Sequence, residues 1–186
     1  MKRYTEASSD SDLLKGCLRR RRGAQEALYR KYYGYAMSIA LRYAPEEESA
    51  REVLNDSFLK IFGKLEAFDR KRPFKPWLSR IVVNTAVSRF RKEQKHSHQA
   101  NINEAREVSL DENALDAMAA EEIIGLLQQL PNPHRLTFNL YELEGYSHRE
   151  IAEQLNISEA TSRSHLLRAK AKLQKLINDH HKYERA

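Results

Sequence analysis

The chain has 186 residues, enough for one domain or two small ones. Hydrophobic residues make up 41% and charged residues 31%, a balance that argues for a soluble folded chain and against a disordered one. A net charge of +6 favours a polyanionic partner, and a single cysteine, Cys17, excludes an internal disulfide.

Residues 1–9 are polar and lack the apolar core of a signal peptide. No run is long enough to span a bilayer, so the simple expectation is a cytoplasmic protein. Ser11 or Asp12 is predicted to cap a short helix carrying Leu13, Leu14, Cys17 and Leu18. Arg19 to Arg22 then read as a solvated basic helix end before Gly23, with phosphate contact as the minority alternative. A longer helix is predicted from Ala24 to Tyr43, with Leu28, Tyr32, Tyr35, Ile39 and Tyr43 at core spacing.

Pro45 and the acids Glu46 to Glu48 open a third helix, about 46–65. Its core stripe is Ala50, Val53, Leu54, Ser57, Phe58, Ile61 and Leu65. Asp56 and Leu59 point away from that stripe, and Phe62 lies on its flank. An outward leucine beside a phenylalanine suits a protein-binding patch, and equally a helix buried on two sides. A basic loop, Asp69-Arg70-Lys71-Arg72, precedes a fourth helix over about 74–93. Phe74, Trp77, Leu78, Ile81 and Thr85 form its core side, and Arg80, Asn84, Val87 and Arg91 a second stripe. Cations and an amide on one line can hold a strand's phosphates and read a base edge, and the loop before them can receive an unstacked base. A solvated face is the plain alternative, and Trp77 by itself reads as core.

Residues 94–112 lose periodicity and read as a polar, acidic linker. His96 and His98 lack the further ligands of a metal set. Helical spacing returns over 113–130 through Leu115, Met118, Ile123, Leu126, Leu127 and Leu130. Pro131 ends that run, and Asn132 is predicted to cap the next helix with Pro133 in its first turn.

Residues 145–173 read as a helix-turn-helix. Ser147 and Glu150 make a capping-box pattern, and Ile151, Ala152 and Leu155 an apolar edge. Asn156 suits the positive φ of a helix end, and Ser158 can cap the second helix. In that helix Ser162, Leu166, Ala169 and Leu173 share one face. Arg163, Ser164, Leu167, Arg168 and Ala171 are turned away from it. Such a helix can lie in the major groove, where arginine pairs with guanine in bidentate fashion. An αα-hairpin with a solvated basic face is the bland alternative.

Charge is segregated to match. Residues 70–95 carry nine Lys/Arg and one acid, 99–122 seven acids and one arginine, and 163–186 seven Lys/Arg and two acids. The fold class predicted is all-α: two small helical domains joined by a polar linker, the second containing the helix-turn-helix. No P-loop, glycine-rich dinucleotide turn, H-E-x-x-H or G-x-S-x-G is present, so no enzyme, metal or cofactor is expected.

The order of these parts resembles a bacterial RNA polymerase sigma factor of the small extracytoplasmic-function type, over about residues 10–93 and 113–176. Asp56-Ser57-Phe58-Leu59-Lys60-Ile61-Phe62 resembles the polymerase-binding helix of sigma region 2. Phe74 to Ala86 resembles the helix behind the minus-10 recognition loop, and the helix-turn-helix resembles region 4, which reads the minus-35 element. The resemblance implies core polymerase contact at Asp56, Leu59, Lys60 and Phe62. It implies minus-10 strand contact at Arg70, Lys71, Arg72, Lys75, Arg80, Asn84 and Arg91. It implies minus-35 contact at Thr161, Ser162, Arg163, Ser164, Leu167 and Arg168. Its partners would be core RNA polymerase and promoter DNA, duplex at minus-35 and melted at minus-10, with room for an anti-sigma factor. The small size implies that regions 1.1 and 3 of larger sigma factors are absent. Asn156 stands where the family often has glycine, Pro76 where a small helix former is common, and the loop 70–72 is unusually basic. A helix-turn-helix regulator with an N-terminal sensing or dimerisation domain is the alternative, and a recombinase or nuclease a third reading for which no catalytic set is visible.

Overall fold

The structure is a computed structural model, and it describes residues 3–96 and 120–184. The described residues form eight α-helices, a 3₁₀ turn and one π turn, and no strand. They fall into two compact units, one of residues 3–41 and 47–86, the other of residues 42–46, 87–96 and 120–184.

Unit 1 begins with α1 (Asp10–Leu18), capped by the Ser9 hydroxyl, which accepts from the Asp12 amide; the predicted cap lies two residues too late. Leu13, Leu14 and Cys17 are buried as their spacing requires, and burial pushes the Cys17 thiol up to about 11. Gly16 is where α1 meets α2 (Arg22–Tyr43), because a Cβ there would stand 2.5 Å from that of Ala24. The arginine run differs from its prediction. Arg19 to Arg21 form the tight turn between the helices, and α2 starts at Arg22, so Gly23 lies inside a helix.

Along α2, Leu28, Tyr32, Ile39 and Tyr43 are buried, but Tyr35 is 36% exposed with the Lys75 ammonium 5.2 Å from its ring centre. A five-position stripe drifts around a long helix, and the neighbouring elements cover only part of it. Helix α3 (Glu47–Lys64) and the 3₁₀ turn Leu65–Ala67 bury all seven predicted core positions. Helix α4 (Phe74–His96) runs three residues past its predicted end. Around its start, Phe74 packs edge-on against Tyr32 and Phe68, at 5.0 and 5.6 Å between ring centres. Trp77 is half-buried with its ring 4.8 Å from that of Phe68, so it belongs mainly to this aromatic cluster.

In unit 2, helix α5 (Ala120–Gln128), helix α6 (Asn132–Phe138) and helix α7 (His148–Leu155) all pack on the long helix α8 (Glu159–Glu184). Leu115 and Met118, and most of the predicted linker, lie outside the described residues. The core consists of Leu126, Leu127, Leu130, Phe138, Leu166, Ala169, Leu173 and Ile177. Asn132 does not cap α6. It occupies the first helical position, Pro131 is the cap residue, and the Asn132 side chain instead accepts from the Arg135 guanidinium. Arg135 is fully buried and also donates to the carbonyls of Gln128 and Leu130, which ties the end of α5 to the start of α6.

Candidate nucleic-acid and polymerase interfaces

The first surface is the outer face of α3. Seven inward positions fix the rotation of this helix, so Asp56, Leu59 and Lys60 must face out. Leu59 is 71% exposed, the most exposed of the large hydrophobic residues. Phe62 is half-buried against Phe58, 6.0 Å between ring centres. Aromatic surface also continues onto α2, at Tyr29 and Tyr33, outside the core stripe predicted for that helix. Tyr29 stacks at 4.7 Å from Phe58 and at 5.7 Å from Tyr33, which is 37% exposed. The i, i+4 spacing of Tyr29 and Tyr33 on α2 was the available signal. Lys60 is held rather than free: its ammonium donates to the Thr85 hydroxyl at 3.1 Å, bridging α3 to α4.

The second surface is the loop before α4 and the stripe along it. Asp69 shapes the loop, its carboxylate accepting from the Lys71 amide at 3.0 Å and lying 3.7 Å from the Arg72 guanidinium. One acid against three cations leaves the loop basic, with Arg70, Lys71 and Arg72 all exposed. Lys75, Arg80, Asn84 and Arg91 are exposed as expected. Val87 is not: it is 5% exposed, because α4 buries a wide face that also takes in Val82, Val83, Ala86 and Phe90.

The third surface is the helix-turn-helix, α7 and α8. The capping box is complete: Glu150 donates its amide to the Ser147 hydroxyl at 3.3 Å, and the Ser147 amide donates to the Glu150 carboxylate at 2.8 Å. The Ser147 hydroxyl, 2.7 Å from the Glu150 carboxylate, and then the Ser147 amide hold the Glu150 carboxyl below its ordinary value. Asn156 takes the left-handed conformation, φ 57° and ψ 49°. The Ser158 hydroxyl caps α8 by accepting from the Thr161 amide at 3.0 Å, and it lies 2.8 Å from the half-buried Thr161 hydroxyl.

Ser162 is withdrawn from the DNA-contact set. It is fully buried, and its hydroxyl lies 2.9 Å from His148 Nδ1, where it joins α8 to α7. Arg163 is exposed and paired with Glu159 at 3.0 Å, a contact one turn back on its own helix. Ser164, Leu167, Arg168 and Ala171 are half-buried rather than fully turned out, since the helices packed on α8 cover its flanks as well as its core face. The environment of Arg168 could not be read from the sequence. His134 of α6 and His165 of α8 stand beside one another, 5.1 Å between ring centres, and the charge of Arg168 acts on both. Burial, then His134 and Arg168, pushes the His165 imidazole down to about 4. Arg168 beside His134 and His165, with Lys172 also acting on His134, makes this corner electropositive.

Two family models match the chain. The model for sigma-70 region 2 matches residues 28–96, and that for sigma-70 region 4 matches residues 120–173. The chain belongs to the sigma-70 family, as a sigma factor of the extracytoplasmic-function type. Among its relatives, the extracytoplasmic-function sigma factor SigM of Bacillus subtilis is 27% identical over 82% of this chain and 94% of its own. SigM of Mycobacterium tuberculosis is 27% identical over 91% of this chain and 85% of its own, and sigma-E of Escherichia coli 29% identical over 75% and 79%. Like other sigma factors it is a transcription initiation factor that binds DNA and directs RNA polymerase to promoters. The region 2 match contains the exposed face of α3 and the basic loop with its stripe, and the region 4 match contains the helix-turn-helix. A regulator with a sensing domain would account for residues 120–173 alone, and the match over 28–96 sets it aside. Among the described residues no helix is long and apolar enough to cross a membrane.

Proposed function

We propose a division of labour among the three surfaces of this sigma factor. Asp56, Leu59, Lys60 and Phe62 bind core RNA polymerase. Arg70, Lys71, Arg72, Lys75, Arg80, Asn84 and Arg91 hold the melted minus-10 strand. Thr161, Arg163, Ser164, Leu167 and Arg168 engage the minus-35 duplex. The corresponding domains are residues 10–93 and 113–176, with 94–112 as linker, into which α4 carries its last three residues. The observation that carries this reading is Leu59, a large apolar side chain 71% exposed on an otherwise well-packed helix. With the half-buried Phe62 and the exposed Tyr33 on the same unit, it supplies apolar surface of the kind a protein partner covers. An anti-sigma factor is a further partner that the same patch would suit. The chain acts in the cytoplasm and performs no chemistry; its work is differential binding. The experiment is a pull-down of purified core polymerase by the intact chain and by Leu59→Asp. Retention by the native chain and loss in the variant is the expected result. Equal retention by both would return Leu59 to an incidental surface position.

A further inference from the structure

The run Arg19-Arg20-Arg21-Arg22 lies outside both family matches, which begin at residues 28 and 120. All four side chains are exposed. The backbone beneath them is a closed helix-ending turn. The Arg20 amide donates to the Cys17 carbonyl at 2.8 Å and the Arg21 amide to the Gly16 carbonyl at 3.1 Å. The Arg21 carbonyl then accepts the first amides of α2, from Ala24 at 3.0 Å and Gln25 at 3.2 Å. The turn is therefore fixed at both ends, and Gly16 seats it by allowing α1 and α2 to touch.

Three local preferences are broken at once. Arg20 has φ 53°, a left-handed conformation that glycine occupies more cheaply in this kind of turn. Arg21 and Arg22 stand at the N-terminus of α2, whose first turn contains no acid, so two cations face the positive end of a helix. Four like charges are adjacent, and the first carboxylate that follows them in the chain, Glu26, pairs with Arg30 at 2.6 Å. A turn that served only to connect two helices would relieve these conflicts with glycine and a polar cap. Conflicts of this kind concentrate where a site serves a ligand.

The ligand has a location as well as a charge. Helix α1 has nine residues, so its two ends are about 14 Å apart. The arginine turn is at one end. At the other, the Tyr32 hydroxyl donates to Asp10 at 2.5 Å, and the Tyr32 ring packs 5.0 Å from that of Phe74, which follows the basic loop 70–72.

We infer that Arg19 to Arg22 form a sequence-independent clamp on the phosphate backbone of promoter DNA, on the same unit as the basic loop 70–72. The inference rests on the proposal that this loop contacts the minus-10 strand. Arginine suits the task because its planar fork pairs with phosphate oxygens in bidentate fashion. A turn locked by backbone hydrogen bonds presents those forks with little further loss of entropy.

The test uses the intact chain and a 30-base-pair duplex of random sequence, with affinity read by fluorescence anisotropy across a salt series. The variant is Arg19→Gln/Arg20→Gly/Arg21→Gln/Arg22→Gln, in which glycine favours the turn; circular dichroism checks its fold. If at least two arginines hold phosphates, the slope of log affinity against log salt falls by about two units, so that raising salt from roughly 50 to 200 mM weakens the variant about tenfold less than the native chain. Should that variant fail to fold, Arg20→Gly alone is measured, with a fall of about one unit expected. An unchanged slope in a folded variant overturns the clamp, as does an absence of duplex binding by the native chain at low salt. So does a loss confined to vesicles of anionic lipid with DNA binding intact. Core polymerase pull-down is scored separately: loss of that binding in the native chain would defeat the functional proposal, whereas an unchanged salt slope defeats only the clamp.

Discussion

At the scale of single residues, the recognition helix separates two arginines that look alike in sequence. Arg163 is exposed near the N-terminal end of α8 and held only by a surface pair with Glu159. Such a pair is worth little and yields readily to a better partner. Arg168 is half-buried in the electropositive corner with His134 and His165. We therefore expect Arg163→Ala to lose about 1–3 kcal/mol at one base pair and to relax preference there. Arg168→Ala should weaken all sequences alike and lower the salt slope by about one unit. Binding of each variant to a minus-35 library at several salt concentrations decides this; retained selectivity at every position in Arg163→Ala would reverse the assignment.

The same corner makes a pH prediction. His165 takes up a proton near 4 in the folded chain and near its ordinary 6.5 when unfolded. Between those values the unfolded chain binds more protons, so acidification favours unfolding. The stability that His165 contributes should be full above about 6.5 and decline as the pH falls toward about 4. Urea denaturation across this range should show a shallower pH dependence in His165→Gln than in the native chain. His134, pushed down by burial and by the charges of Arg168 and Lys172, supplies the residual dependence. Identical curves for variant and native chain would mean that His165 is not the sensor.

At the scale of elements, the helix-turn-helix depends on one backbone conformation. Asn156 sits at φ 57°, and the following Ile157 amide donates to the Ala152 carbonyl at 3.1 Å to close α7. Asparagine tolerates this region better than other residues with a Cβ, and glycine tolerates it best. Asn156→Gly should thus change stability by no more than about 1 kcal/mol, while Asn156→Val should cost about 1–2 kcal/mol or more through strain at its branched Cβ. Thermal melts of the two variants test the contrast, and an equal loss in both would point to a role for the asparagine side chain instead.

At the scale of the whole molecule, the proposed polymerase patch and the helix-turn-helix fall in different units, so their failures should be separable. Leu59 is exposed, so Leu59→Asp should leave stability within about 0.5 kcal/mol of native while abolishing most polymerase retention. Duplex binding through the helix-turn-helix should persist in that variant. A variant that melts early would place Leu59 among the packing residues, and one that retains polymerase would move the docking patch elsewhere, with Tyr33 the next residue to substitute.

Much of this protein was legible in its sequence because the signals are local. The capping box, the left-handed Asn156, the seven-residue core stripe of α3 and the outward Leu59 follow from hydrogen-bond geometry and helical period within a few residues. Periodicity gives the direction a side chain faces but not how far neighbouring helices reach around the flank. That reach, decided only by tertiary packing, buries Val87, half-covers Arg168 and exposes Tyr35, whereas the burial of Ser162 follows from its place on the face of Leu166, Ala169 and Leu173. The arginine turn needed tertiary structure for a related reason. Four arginines are compatible with a helix end, and only the close approach of α1 and α2 at Gly16 forces the chain to reverse there, with Arg20 left-handed at the reversal.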